Sequence, residues 1–139
     1  LIKIYQKRLV HYIQFSFEII PNLRNSKNLS QKLQKQEEGK LILNKVSNTD
    51  HLILLDENGK EMNSIVFSKF LQKHMNSGIK RLVLVIGGPH GFSDAVYQKA
   101  SYKLALSKMT FSHQMIRLFT IEQLYRGFSI LKNEPYHHH

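Results

Sequence analysis

Leu82-Val83-Leu84-Val85-Ile86-Gly87-Gly88-Pro89-His90-Gly91-Phe92-Ser93 is the stretch on which the fold turns. Its first five residues form a continuous apolar run that reads as a strand buried on both faces, and the glycines end it at once. Ser93 then starts a helix, because its hydroxyl can accept an unpaired backbone N–H of the first turn, and Ala95, Val96, Tyr97 and Ala100 supply apolar residues. A glycine-rich turn at the carboxyl end of a parallel strand is the usual ligand position of an α/β sheet, since missing side chains expose backbone groups. The same glycines are also what a tight turn with positive φ requires. The turn has neither the Lys-Ser or Lys-Thr pair of a phosphate loop nor the three spaced glycines of a dinucleotide motif, so nucleotide phosphate is not the favoured ligand.

Towards the N-terminus, His51 to Leu55 is another apolar run, and Asp56-Glu57-Asn58-Gly59 predicts that this strand ends in a turn. Asn63 or Ser64 can cap a helix on which Phe67, Phe70, Leu71 and His74 recur at i, i+3, i+4, i+7, and Gly78 closes it. Strand, helix and strand in this order predict a parallel sheet with helices on its faces. Towards the C-terminus, Tyr102 to Leu106 is a further strand. A loop then leads into a long helix carrying Met115, Leu118, Phe119, Glu122, Tyr125 and Phe128 at helical spacing, with Arg117 and Arg126 on other parts of the cylinder. This helix ends before Pro135.

At the start of the chain, Ile4, Lys7, Arg8 and Leu9 read as the end of a helix. Tyr12, Phe15, Phe17, Ile19 and Ile20 make His11 to Ile20 an aromatic, β-branched run closed by Pro21, and it is predicted as a strand. From Asn22 to Lys40 the chain is polar and basic, a solvated loop leading into a helix.

The 139 residues suit one α/β domain, 1–139, and 42% apolar composition is enough to bury an ordinary core. Twenty Lys and Arg against ten Asp and Glu leave a formal charge of +10, a field that favours polyanions such as nucleic acid. The absence of Cys excludes a disulfide framework and a thiolate metal site and fits a reducing cytoplasm. No stretch is long enough for a membrane span and the opening residues are too mixed for a secretory signal, so a cytoplasmic protein with no membrane partner is expected. The first residue is Leu rather than Met, and a preceding piece is expected. The terminal histidines are read as including part of a purification tag, with little functional weight on His139.

Four segments in order carry a specific resemblance: Val85-Ile86-Gly87-Gly88-Pro89-His90-Gly91, Leu106-Ser107-Lys108-Met109-Thr110-Phe111-Ser112-His113-Gln114, Glu122-Gln123-Leu124-Tyr125-Arg126, and Asn133-Glu134-Pro135-Tyr136-His137. Together they resemble the ribosomal RNA large subunit methyltransferase H family, a branch of the SPOUT methyltransferases. The likeness runs back through Leu52 to Gly59 and more loosely to Tyr5-Gln6-Lys7-Arg8-Leu9 and Ile20-Pro21. It implies a parallel-rich sheet flanked by helices, a C-terminal trefoil knot with the cofactor region at about 82–136, and a homodimer. Two departures stand out. The opening strand and Gly-containing loop of the family are not present in these residues, and Ser112 stands where a Pro commonly precedes the His, removing a φ restraint.

The activity implied is transfer of the methyl group of S-adenosyl-L-methionine to N3 of a pseudouridine in 23S rRNA, on the assembled ribosome and without a metal. The cofactor pocket implied comprises Leu55, Gly88 and the loop Ser107, Lys108, Met109, Thr110, Phe111 and Ser112. Leu55, Met109 and Phe111 would line an apolar slot while loop amides and carbonyls read the adenine edge. Core packing is the plain alternative for Met109 and Phe111, and equally for Leu55. The target nitrogen must lose a proton, and His113 is the first candidate to accept it, since imidazole titrates near pH ~6.5; capping or packing at the start of the last helix is the other explanation. Arg126, Tyr136 and His137 are candidates to hold RNA, the guanidinium by pairing with phosphate and the ring by stacking on a base. Arg126 is also a candidate catalytic group, as a cation favouring the deprotonated base. Glu122 is placed to buttress Arg126 at i, i+4. Lys7, Arg8, Lys27, Lys32 and Lys35 would face phosphates, or serve simply as solvated charge. Two other functions stay open: a SPOUT enzyme acting on tRNA, and an RNA-binding module without chemistry.

Overall fold

Three short strands lie side by side in one parallel sheet, in the order β2-β1-β3. The structure, a computed structural model, describes residues 1–20, 28–88 and 90–138. The elements in chain order are α1 (Ile2–Leu9), α2 (Gln31–Leu43), β1 (Asp50–Glu61), α3 (Ser64–Met75), β2 (Arg81–Ile86), α4 (Asp94–Lys99), β3 (Tyr102–Ala105) and α5 (His113–Leu131). The expected parallel sheet with helices on its faces is therefore present. Among the described residues no helix is long and apolar enough to cross a membrane.

Alternation along the central strand divides the core in two. Leu52 and Leu54 of β1 face Ile42 of α2, Val96 of α4 and Phe92. Ile53, one step out of phase, faces the other way with Leu104 of β3, Phe67 and Leu71 of α3, and Ile121 and Leu124 of α5. Side-chain caps start four helices. Ser30, Asn63, Ser93 and Ser112 accept the backbone N–H of Leu33, Val66, Val96 and Met115 respectively, so α2 has a sharply defined first turn at the end of the polar stretch. Gly78, at φ +78, reverses the chain between α3 and β2.

Two expectations are corrected. His11 to Ile20 forms no ladder with any strand. Tyr12, Phe15 and Phe17 pack instead on the core under α5 and Ile20 on the opposite one, so the aromatic run is used for burial without backbone pairing. Pro21 and Lys27 lie outside the described residues. Secondly, β1 does not stop at Asp56. Its register against β3 shifts between Leu55 and Lys60, and it resumes as far as Glu61. The Asp56–Gly59 turn signal marks this irregularity, with Asn58 N–H donating to Asp56 Oδ1 at 2.9 Å.

Gly59 permits the irregularity by close approach. A Cβ there would lie 2.7 Å from the Lys103 carbonyl carbon and 2.8 Å from Leu104 N, both in the backbone of β3. Backbone inside a sheet cannot step aside, so Gly59→Ala is expected to lower unfolding free energy by about 1–3 kcal/mol in urea denaturation. An unchanged midpoint would mean that β1 and β3 do not approach in this way.

The other end of β1 is held by charge. Asp50, whose side chain is 3% exposed, accepts Arg81 Nη2 at 2.6 Å and Nε at 3.2 Å, and Ser47 N–H at 2.9 Å. The Arg81 bonds, then that of Ser47, hold its carboxyl below the ordinary carboxylate value against the opposing effect of burial. A lowered pKa means stability that is fully present above the unfolded value near pH ~3.9 and is lost as pH falls through the lower folded one. Asp50→Asn is therefore expected to cost about 2 kcal/mol at pH 7. That difference should shrink below about pH 4, as read by denaturation at several pH values; a gap independent of pH would contradict the ion pair.

Candidate active site

The sheet register brings the three expected cofactor segments to one end. Leu55 pairs with Ile86 on one side and Leu104 on the other, the glycine turn follows the first, and Ser107 lies just beyond the second. The carboxyl ends of β2 and β3 thus flank Leu55 in the middle of β1, and the carboxyl end of parallel strands is where open α/β sheets take ligands.

Two of the three glycines in the turn, Gly88 and Gly91, have different tasks. Gly91 has φ +79 and its N–H donates to the Gly88 carbonyl at 3.2 Å, so positive φ explains it. Gly88 is outside that region and supplies room: a Cβ there would point at Glu38 of α2, 3.0 Å from Oε2. Gln34 donates to the other oxygen of this carboxylate at 3.0 Å. Pro89 lies outside the described residues.

The loop after β3 is tied down along its length. Ser107 Oγ accepts the Met109 N–H at 3.0 Å, Thr110 Oγ1 donates to Glu57 Oε2 at 2.8 Å, and Lys108 Nζ stands 4.0 Å from Glu61. The prolonged β1 is thus what holds this loop. Ser112 Oγ accepts Met115 N–H at 3.3 Å, so a hydroxyl cap defines the helix start without a proline. Phe111 packs edge-to-face on Phe119 with centroids 5.2 Å apart, whereas Met109 is 73% exposed. His113, the first residue of α5, is also exposed.

A cavity of about 570 Å³ opens between the start of α3, the end of β3 and α5. Ser107, Phe111, Phe119, Glu122 and His137 are among the residues lining it; Leu55, Gly88 and Met109 do not line it. The loop consequently has one edge on the cavity while its remaining residues lie elsewhere.

Glu122 and His137, which line the cavity, belong to a charged and aromatic platform with Arg126 and Tyr136, which do not line it. Glu122 Oε1 accepts Arg126 Nη2 at 2.6 Å and Nε at 3.0 Å, the i, i+4 buttress read from the sequence. It also accepts the Tyr136 hydroxyl at 3.0 Å. Arg126 Nη1 lies 3.0 Å from His137 Nδ1, and its guanidinium stands 4.7 Å from the Tyr136 ring centre. Burial disfavours the Arg126 cation, but the Glu122 bonds and charge prevail and its pKa is raised. Burial, then hydrogen bonding with Tyr5 and with Glu122, raise the Tyr136 phenol, which stays neutral and able to donate.

His113 is not part of this platform. It stands 13 residues before Arg126 on α5, which is about 20 Å of helix axis at ~1.5 Å per residue. One nitrogen of a bound base cannot touch both in a single chain. Of the lysines and arginines assigned to phosphates, Lys7, Arg8 and Lys32 are exposed and Lys35 is half-buried. Arg8 lies 5.6 and 5.5 Å from the ring centres of Tyr5 and Tyr125.

The sequence did not mark Tyr5, Tyr12, Glu38 or Glu57 as part of the site. Tyr5 meets Tyr136 across 131 residues and Tyr12 meets Glu134 across 122, separations that no local periodicity reports. Glu38 and Glu57 read as surface charge until the fold sets them against Gly88 and Thr110.

Comparison with known proteins agrees with this architecture. A family model described as "Predicted SPOUT methyltransferase" matches residues 1–137. The chain is 64% identical over 138 residues to a protein of Christiangramia forsetii, covering 99% of this chain and 88% of that one. It is 67% identical over 138 residues to one of Flavobacterium psychrophilum with the same coverage, and 53% identical over 134 residues to one of Bacteroides thetaiotaomicron, covering 96% and 85%. All three bear the name Ribosomal RNA large subunit methyltransferase H. A parallel sheet whose strand ends gather a glycine turn and a tethered loop, matched over nearly the whole chain, leads to one conclusion: this chain belongs to the SPOUT methyltransferase family.

Proposed function

We propose that this protein is a cytoplasmic 23S rRNA methyltransferase that uses S-adenosyl-L-methionine to methylate N3 of a pseudouridine on the assembled ribosome, working as a homodimer with 82–136 as its knotted cofactor region. The observation that carries this is the meeting of Leu55, the glycine turn and the Ser107–Ser112 loop at one sheet end, with a cavity on the loop's far side walled by Glu122 and His137. The names of the relatives supply the substrate class.

The residues fit the cofactor. Gly88 presents bare backbone next to the Glu38 carboxylate, and the loop presents backbone groups held by a side-chain bond to β1, which suits an adenine edge and an amino-acid moiety. When bound, the cofactor supplies a methyl group already activated on a sulfonium, so alignment is the protein's main task. Leu55 and Phe111 give the apolar part of the pocket; Ser107, Lys108, Met109, Thr110 and Ser112 give the backbone around it. Arg126, fixed by Glu122, favours the deprotonated form of the target base or holds a neighbouring phosphate. Tyr136 offers a ring for an unstacked base, and His137 a further polar contact. His113, at the opposite end of α5, acts as proton acceptor only where another protomer brings its Arg126 end close, and the 20 Å separation thus favours the dimer.

The test incubates the protein and methyl-labelled cofactor with ribosomes lacking the modification, then maps label by nuclease digestion. Label on one pseudouridine of 23S rRNA is expected. Label on isolated tRNA instead would move the substrate, and failure to bind the cofactor in calorimetry would leave an RNA-binding module.

A further inference from the structure

The C-terminal tail does not hang free. After α5, Asn133 takes a left-handed φ of 55°, and the N–H groups of Asn133 and Glu134 donate to the carbonyls of Ile130 and Ser129 at 3.0 and 2.9 Å. The chain thus folds back on its own helix and comes to rest against residues from the other end of the sequence. The Tyr12 hydroxyl donates to Glu134 Oε2, and the Tyr5 and Tyr136 hydroxyls are 3.2 Å apart. The ring of Tyr125 stands among those of Tyr5, Tyr12 and Tyr136, at 5.8, 6.0 and 4.7 Å between centroids.

We propose that Tyr5 and Tyr12 are positioning residues that clamp the tail, so that Tyr136 and His137 are set beside Arg126 before RNA arrives. The clamp rests on the methyl-transfer function proposed above for its consequence, but not for its existence. Ring packing alone would need no hydroxyls. Tyr12 also stacks on Phe128, at 6.2 Å and 13° between planes, so phenylalanine at position 12 would keep that contact. The hydroxyls instead converge on two carboxylates: Tyr12 on Glu134, and Tyr5 through Tyr136 on Glu122. Burial, followed by the Glu134 bond and charge, raises the Tyr12 phenol well above its ordinary value, so it remains a donor throughout the physiological range. Among the described residues no helix or strand follows α5, so side-chain ties are what hold residues 134–137 in place. His137 lines the cavity, and two tyrosines from a distant helix and its following turn supply the ties that bring this segment there.

The test uses the whole protein with Tyr12→Phe, Tyr5→Phe and Glu134→Gln. Three quantities are read: hydrogen exchange in a 130–138 peptide, cofactor affinity by calorimetry, and kcat/KM for methylation of unmodified ribosomes. Tyr12→Phe should accelerate tail exchange and lower kcat/KM about tenfold, the size of one hydrogen bond to a charged group. Cofactor affinity should stay within about twofold, since neither Tyr12 nor Glu134 lines the cavity. Glu134→Gln leaves all the rings in place and keeps an amide oxygen that can accept, so it should act in the same direction with a smaller effect, and the double variant should add little to Tyr12→Phe. Unchanged tail exchange in all three variants overturns the clamp, and so does a freed tail with undiminished kcat/KM. Wild-type protein inert on ribosomes would overturn the methyl-transfer function instead, while the exchange rates would still decide whether the tyrosines hold the tail.

Discussion

Gly88→Trp is expected to weaken binding of S-adenosyl-L-methionine by about 100-fold or more, which is ~2.7 kcal/mol, with the fold retained. The position has no special φ to lose, so backbone strain is not the cause. A Cβ would already stand 3.0 Å from the Glu38 carboxylate, and an indole would push that side chain aside and crowd the turn where the cofactor is proposed to bind. Gly88→Ala should do far less, because one methyl meets only the movable end of a glutamate side chain. Calorimetry with the two variants gives the contrast, and circular dichroism checks the fold. Normal affinity in the tryptophan variant would place the cofactor elsewhere, the 570 Å³ cavity being the next place to look.

Arg126→Met should reduce methyl transfer to ribosomes by about 100-fold, in the range for loss of one preorganised donor to developing charge, while leaving cofactor affinity nearly intact. Methionine keeps much of the side-chain volume and removes only the guanidinium. Its loss leaves Glu122 and Tyr136 facing each other without the cation and frees His137 of one neighbour. Stability should fall by only about 1 kcal/mol, since the pair is partly exposed. Arg126→Lys should not restore activity, because one ammonium cannot span Glu122 and His137 as the planar guanidinium does. Equal losses of cofactor binding and turnover would show that Arg126 supports the fold rather than the chemistry.

How far the sequence disclosed this molecule depended on whether neighbouring residues carried the signal. The strand at 82–86 and the caps at Asn63 and Ser93 were legible because a short apolar run and a hydroxyl or amide before a helix are local facts. The Glu122–Arg126 pair was legible because i, i+4 is fixed by the helix itself. His11 to Ile20 misled because aromatic and β-branched residues suit any buried surface, and a strand also needs a neighbour to bond. The continuation of β1 to Glu61 was hidden because Asp56-Glu57-Asn58-Gly59 has turn chemistry, while its role depends on β3, more than forty residues later. Of the candidate site, the glycine turn was proposed from its place after a strand and the loop from ordered family-like segments. The tyrosines facing the tail were not, since only the finished fold places them there.

The length of α5 imposes a constraint on descent. Its 19 residues run unbroken from the serine-capped start to the platform, and each residue added or removed would swing everything beyond it by about 100° around the axis. One inserted codon near the middle would leave both ends chemically intact yet turn Arg126 away from the tyrosines that now surround its neighbours. Divergent copies of this gene should therefore accept substitutions freely along the exposed side of this helix, while gains and losses of sequence collect in the polar stretch that precedes α2.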